Sequence, residues 1–259
     1  MRQRRSADFH NELDTALAAA KAAGRVQLKA LDRAGKVRLK ADASPQTRVD
    51  RDCEKLISGQ LLRRFPRDGF LGEESGDHPG TSGRRWIVDP LDGTRPYIRG
   101  LNTFSALIAL EDEAGPAVGV IHLPALGLTC WAARGGGAFA NGRPIHVSRT
   151  PRLKKALGSA LGFVEKAGKP QGRALLRLMR AYGYNYGFMD AYSYAALAMG
   201  RLDACVNLLD KPWDCAAAAC IVEEAGGRFS DLKGRRTVHS GNCVLSNGRL
   251  HEKLLAFFR

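Results

Sequence analysis

Hydrophobic positions along the chain fall into two rhythms. Leu13, Leu17, Ala20 and Leu28 recur at helical spacing in an Ala/Leu-rich stretch, which predicts an amphipathic helix over 12–33. Residues 36–40 (KVRLK) alternate like a short strand, Ala43-Ser44-Pro45 reads as a turn, and Thr47 is a good N-cap for a helix over 48–64. Gly69-Phe70-Leu71-Gly72 reads as a strand ending in a loop, and 77–83 is loop by composition. Trp86-Ile87-Val88 reads as a buried strand running into a turn, Asp89 to Thr94, that opens a helix. Strand-like runs follow at 104–111, 116–122 and 128–133, and Gly135-Gly136-Gly137 with Asn141-Gly142 punctuates a hairpin ending in Pro144-Ile145-His146-Val147. The second half alternates strands near 157–162, 184–187 and 203–206 with helices over 170–181 and 190–199, and a last helix runs from Asp214 to Gly226-Gly227. The expected fold class is α/β, with an α+β half over 1–150 and an α/β half over 151–259.

At 259 residues the chain suits one large domain or two tightly joined ones. Hydrophobic residues at 44% and charged residues at 25% exclude a disordered chain. No apolar run approaches the ~18 residues of a membrane span. Arg2, Arg4 and Arg5 lead into Asn11-Glu12-Leu13-Asp14 rather than an apolar core, which argues against a secretory signal. The net charge of +14, from 40 basic and 26 acidic residues, favours anionic partners such as phosphorylated metabolites, nucleic acid or lipid. The basic residues come as scattered pairs (Arg63-Arg64, Arg84-Arg85, Arg235-Arg236), the pattern of a solvated surface. None of the six cysteines forms a CxxC pair or a zinc-spaced cluster, so they read as reduced, mostly buried thiols of a cytoplasmic protein. No nucleophile elbow or P-loop is present, and His122 and His239 stand alone.

The informative residues are acidic. Asp89 closes a hydrophobic strand and Asp92 follows three residues later, in a turn stiffened by Pro90 and freed by Gly93. Both carboxylates can converge on one point, with the N–H groups of Gly93 and Thr94 at a helix start facing the same space. Two carboxylates beside an anion site call for a cation between them, and Mg²⁺, with its oxygen ligands and phosphate bridging, fits. The plainer readings are that Asp92-Gly93 is only a turn, that Glu73-Glu74-Ser75 is a solvated acidic loop, and that Asp214 is the N-cap of its helix.

Taken together, Gly72-Glu73-Glu74-Ser75, the run from Trp86 to Thr94, and Trp213-Asp214-Cys215-Ala216-Ala217 running to Glu224-Ala225-Gly226-Gly227 resemble the inositol monophosphatase superfamily. The hairpin Gly137 to Gly142 and the early Ser44-Pro45, Thr47 and Asp50 match as well. The resemblance covers nearly the whole chain and implies a layered α/β/α/β/α sandwich, commonly a homodimer. It implies that Glu73, Asp89, Asp92, Asp214 and the Leu91 carbonyl hold two or three Mg²⁺ ions. It further implies that Thr94, oriented by Asp50, holds the attacking water with Glu73, and that Gly93 and Thr94 donate N–H bonds to phosphate. The implied activity is hydrolysis of a small phosphate monoester by water activated on metal.

Two departures bear on the leaving group. Where inositol-cleaving members carry Gly-Ser/Thr-Ala, this chain reads Phe188-Met189-Asp190, and where they carry a Glu, it has Asn207. Asp190-Ala191-Tyr192-Ser193-Tyr194, Lys211-Pro212-Trp213-Asp214, and Gly93-Thr94-Arg95 with Tyr97-Ile98-Arg99-Gly100 resemble the histidinol-phosphate phosphatase branch. Histidinol phosphate carries an ammonium and an imidazole, either of which a carboxylate such as Asp190 can pair; a helix N-cap is the other reading of Asp190. Arg95, Asp190 and Asn207 are therefore the candidate substrate contacts. Inositol 1-phosphate is the alternative substrate. A basic module binding nucleic acid or anionic lipid is the non-enzymatic alternative; it accounts for the charge but not for the acids.

Overall fold

The strands at the middle of this chain are apolar on both faces, so their sheet needs cover on both sides. The computed structural model describes residues 9–31, 38–39, 45–187 and 190–259, the last stretch without the Asp190 side chain. The expected turn at Ala43-Ser44, the ends of the expected strand over 36–40 and Phe188-Met189 lie outside the described residues.

The chain runs α1 (His10–Ala30), β1 (Arg38–Leu39), β2 (Pro45–Gln46), α2 (Arg48–Arg64), β3 (Gly69–Gly72), β4 (Gly76–His78), β5 (Arg85–Asp92) and α3 (Thr94–Tyr97). Then come β6 (Ser105–Asp112), β7 (Gly115–Leu123), β8 (Leu128–Ala133), β9 (Ala138–Ala140), β10 (Arg143–Pro144), β11 (Leu157–Leu161), α4 (Pro170–Ala181) and β12 (Tyr184–Tyr186). It ends with α5 (Asp190–Ala198), β13 (Ala204–Asn207), α6 (Pro212–Glu224), β14 (Arg228–Ser230), β15 (Cys243–Ser246) and α7 (His251–Leu255).

An eight-stranded sheet takes the order β10-β9-β8-β7-β6-β5-β3-β4, antiparallel except where β3 lies parallel to β5. A five-stranded sheet takes the order β12-β11-β13-β15-β14, parallel through β13 and antiparallel beyond. Helices α1 and α2 cover one face of the large sheet; α5 and α6 lie between the sheets, and α4 and α7 cover the small sheet outside. The result is an α/β/α/β/α sandwich.

Alternation along β5 to β7 sorts the side chains between cores. Trp86, Val88, Ile108, Val118 and Val120 join the core under α1 and α2, while Ile87, Leu107, Ala109 and Ile121 join the one that holds α5 and α6. A third core, with Leu175, Leu178, Val206 and Leu254, lies under α4 and α7. Every residue of α6 from Cys215 to Val222 is buried, and half of them, Ala216 to Ala219, are alanine. Small side chains let this helix sit close to both sheets. Gly119 on β7 completes the fit, since a Cβ there would meet the Ala217 carbonyl oxygen at 2.4 Å. The six cysteines are free and buried.

Several elements depart from the sequence expectation, among them β4, which falls partly in the stretch read as loop. Asp89 to Asp92 is the end of β5 rather than a turn, and the helix that follows is a single turn. The last long helix begins at Pro212, because proline suits the first helical position, whose N–H has no helical acceptor. The short β14, β15 and α7 are too brief for periodicity to reveal, and gain their form from neighbours.

His251 at the start of α7 is fully buried, with Ser230 Oγ 2.8 Å from Nε2 and Ser246 Oγ 2.9 Å from Nδ1. Burial, reinforced by Arg228, lowers its pKa to about 4, and burial with Lys21 and Arg25 lowers that of His122 likewise to about 4. The unfolded chain takes up these protons near the ordinary value of 6.5 while the folded chain refuses them until about 4, so stability drains away as pH falls through that window. Melting curves should record a falling Tm from pH 6.5 to 4, and a His122→Gln/His251→Gln variant should show a shallower fall; an unchanged slope would place the acid sensitivity elsewhere.

Candidate active site

In a regular strand, residues 89 and 92 would point to opposite faces. Here β5 pairs Asp89 with Leu107 and Asp92 with Ser105, so three steps on β5 match two on β6. The extra residue is a bulge centred on Pro90, which has no N–H to give the ladder. The bulge re-aims the chain, and both carboxylates line one cavity of about 460 Å³. Asp89 Oδ1 accepts the Leu91 N–H at 3.0 Å. Asp92 Oδ2 accepts the Ser105 hydroxyl at 2.8 Å and the Ala191 N–H at 3.1 Å, tying β5 to the first turn of α5.

Two more acids reach the same cavity from other elements. Glu73 follows β3, with its N–H on the Val88 carbonyl at 3.2 Å and its side chain hydrogen-bonded to Asp89. Asp214, in the first turn of α6, accepts the Lys211 N–H at 2.6 Å. It is held as an N-terminal acid in the manner of a cap, but its carboxyl also borders the cavity. Burial first, then the charges of Glu73, Asp92 and Asp214, push the Asp89 pKa well above the usual carboxylate range. Burial, then Asp210, Asp92 and Glu73, do the same to Asp214.

Carboxylates that repel one another around one cavity form an all-oxygen, negatively charged donor set, which suits a hard divalent cation. Among the described residues no group of three or more His, Cys, Asp or Glu side chains is already drawn together into metal-holding geometry. Backbone N–H groups and a hydroxyl hold one oxygen of each aspartate in place. The donor chemistry fits a metal, and the arrangement has room to close on it.

Beside the acids, Gly93 adopts a left-handed backbone with φ 76°, which starts α3 and brings Gly93 and Thr94 to the cavity wall. Thr94 Oγ1 lies 3.2 Å from Asp50 Oδ1 and 3.1 Å from the Leu91 carbonyl oxygen. Asp50 is fully buried, and its Oδ2 accepts both the N–H and hydroxyl of Thr47 at 2.7 and 2.6 Å, closing the capping box of α2. Burial nevertheless raises the Asp50 pKa.

Arg95 sits exposed at the rim of the cavity. Asn207 lines it, but its amide is spent on the Tyr194 hydroxyl, at 3.2 Å, and on Asp210. The Asp190 side chain lies outside the described residues. Sequence reasoning missed Asp210 and Glu165 on the opposite wall. Asp210 is 1% exposed and accepts the Tyr194 hydroxyl at 2.7 Å. Its signal was its place four residues before Asp214, just ahead of α6; Glu165, in an irregular stretch, gave none.

Fold and site together define a layered α/β scaffold on which four acids from three places in the chain line one cavity. Comparison with known proteins gives the family. The model of the inositol monophosphatase family matches residues 8–259, and the chain belongs to that family of metal-dependent phosphatases. It is 42% identical over 250 residues to a histidinol-phosphatase of Streptomyces coelicolor, covering 92% of each chain. To the histidinol-phosphatase of Chlorobaculum parvum it is 39% identical, covering 95% of each. The solved structure of the extragenic suppressor protein suhB from Bartonella henselae superposes with a TM-score of 0.89 at 31% identity, over 96% of this chain and 98% of that one. The protein is accordingly a phosphoric monoester hydrolase.

The raised carboxyls of Asp89 and Asp214 set the sign of a second pH effect. A folded pKa above the unfolded one contributes stability below the carboxylate range and loses it as pH rises through the folded value. Metal-free protein should therefore lose more Tm than a metal-free Asp89→Asn variant as pH rises above the ordinary carboxylate range, and a divalent cation should restore more Tm at about pH 8 than at about pH 5. Equal restoration at both pH values would dissociate the cation from these acids.

Proposed function

We propose that the protein is a Mg²⁺-dependent histidinol-phosphate phosphatase. The observation that carries this reading is the convergence of Glu73, Asp89, Asp92 and Asp214 on one cavity, next to the Asp50–Thr94 pair. Glu73, Asp89, Asp92 and Asp214, with the Leu91 carbonyl, are the residues that would hold two or three Mg²⁺ ions. Bound there, the ions would neutralise the phosphate, lower the pKa of a water and stabilise the departing alkoxide.

The chain's own groups then divide the work. With its proton turned to Asp50, the Thr94 hydroxyl presents lone pairs to a water and accepts one of its hydrogens. Buried Asp50, fixed by Thr47, keeps that hydroxyl pointed. Glu73 accepts the second hydrogen and completes the orientation of the attacking water. The Gly93 and Thr94 N–H groups hold the phosphate oxygens, and Arg95 at the rim attracts the incoming anion.

For the leaving group, the likeness to histidinol-phosphatases is matched by acidic character on the wall facing β5. Glu165 and Asp210 line it, and Asp190 opens α5 alongside. Such a wall suits an ammonium and an imidazole better than a neutral polyol. Asn207 shapes this wall by holding Asp210 and Tyr194. A cytoplasmic homodimer completes the reading, on the family likeness and on six free, buried thiols that suit a reducing compartment.

Phosphate release should be measured with histidinol phosphate, inositol 1-phosphate and adenosine 3′,5′-bisphosphate at equal concentration, with and without Mg²⁺. Histidinol phosphate should be preferred, and Asp190→Ala should lower its kcat/KM about 10- to 100-fold, the loss of one charge-assisted bond. Preference for inositol 1-phosphate would overturn the substrate assignment. Asp89→Asn should lower kcat by at least about 100-fold while leaving the circular dichroism spectrum intact; retained turnover would remove Asp89 from the metal set.

A further inference from the structure

Helix α2 aims two carboxylates, one helical turn apart, toward the site. The first, Asp50, meets Thr94. The second, Glu54, is 5% exposed, and its Oε2 accepts the Glu74 N–H at 2.9 Å. Glu74 is the neighbour of Glu73, so this bond grips the backbone of the loop that carries Glu73 to Asp89. The residue before Glu73 is cut to match: a Cβ on Gly72 would lie 2.3 Å from Glu54 Oε2 and 2.6 Å from its Cδ. Gly72 has an ordinary strand conformation, so no left-handed backbone demands glycine there; the space is taken by the Glu54 carboxylate and by the Phe70 ring, whose Cε1 a Cβ would meet at 2.7 Å. A second grip comes from the side chain of Gln46, on β2, which hydrogen-bonds the Glu74 carboxylate.

We propose that Glu54 is a positioning residue, which sets the Glu73 carboxylate for metal by holding the Glu74 backbone in the space that Gly72 leaves open. The inference rests on the reading of Glu73 as a metal ligand. A buried acid whose partner is a backbone N–H is a rigid anchor, because that bond has fixed geometry and the acid cannot swing out into water. Without the anchor, the loop keeps the Gln46 bond to Glu74 and the Glu73 N–H bond to the Val88 carbonyl, but loses its hold on the Glu74 backbone, and more of the ordering of Glu73 falls to the metal. The effect belongs in metal affinity before it belongs in substrate affinity. Partners that orient metal ligands are typically worth about 10- to 100-fold in metal binding.

The test is Mg²⁺ binding to the full chain by titration calorimetry, with the Mg²⁺-induced rise in Tm as a second readout and histidinol-phosphate kinetics as a third. Glu54→Met keeps the length and removes the acceptor; Glu54→Gln keeps an acceptor oxygen. Gly72→Ala pushes the carboxylate aside from the opposite direction, and Glu73→Gln removes the ligand itself. We expect Glu54→Met to weaken Mg²⁺ about 10- to 100-fold and to shrink the Mg²⁺-induced Tm rise, with KM at saturating Mg²⁺ unchanged. Glu54→Gln should stay within about threefold of the parent, and Gly72→Ala combined with Glu54→Met should be no worse than the more severe single variant. If Glu73→Gln weakens Mg²⁺ but Glu54→Met and Gly72→Ala do not, the positioning role is wrong. If Glu54→Met and Glu54→Gln weaken it equally, the backbone bond is not the cause and the proposal also fails. If Glu73→Gln itself leaves Mg²⁺ binding unchanged, the ligand reading falls first. Should Glu54→Met fail to fold, Glu54→Gln and Gly72→Ala carry the decision, equal affinities in both overturning the proposal.

Discussion

Mutual repulsion among buried carboxylates is the constraint on which the rest of this molecule depends. Asp89, Asp92 and Asp214 come from two elements and Glu73 follows a third, and burial with the neighbouring charges disfavours the ionised forms of Asp89 and Asp214. A fold tolerates such a cluster only if the surrounding structure holds the acids rigidly. That is what the bulge in β5, the Ser105 hydroxyl and the helix-start N–H groups of Ala191 and Lys211 provide. The site is thus a local loss of stability that the layers around it absorb.

Those layers explain how the absorption works. The central helix α6 is buried from Cys215 to Val222 and carries four alanines in a row, so it can press against the large sheet while its first turn presents Asp214. Gly119 lets the Ala217 backbone come closer than any side chain would allow. Close packing of this kind resists distortion. The acids sit at the ends of β5, β3 and α6, where regular hydrogen bonding stops and side chains are free to converge, while the interior of each element stays purely structural.

Most of the fold was legible because its long elements carry strong periodicity. The helices at 48–64 and 170–181 and the strands around 104–133 fall where their patterns place them. The bulge was not legible as such: a sequence reader sees Pro and Gly beside two acids and infers a turn, whereas β6 supplies pairing that keeps the run extended through Asp92. The acids themselves stood out because acidic residues after an apolar strand have few bland uses. Glu165 did not, since its neighbours show no pattern, and Asp210 offered only its nearness to Asp214 in the chain; it is the fold that brings both to the cavity. Glu54 was hidden for a different reason. Its partner is a backbone N–H twenty residues away, and nothing in a side-chain pattern encodes that.

The cavity is built from two unequal walls. One wall, on the large sheet and α3, carries Glu73, Asp89, Asp92 and Thr94, while the other, around β11 and β13, carries Leu161, Glu165, Asn207 and Asp210. Only Asp214 crosses from the second half to the acid cluster. On the reading given above, bond breaking is confined to one wall and recognition of the departing alcohol to the other. A lineage can then exchange residues on the second wall and acquire a new substrate without touching the chemistry. The two-sheet architecture thus separates the two tasks in space, with Asp214 as the tie between the walls.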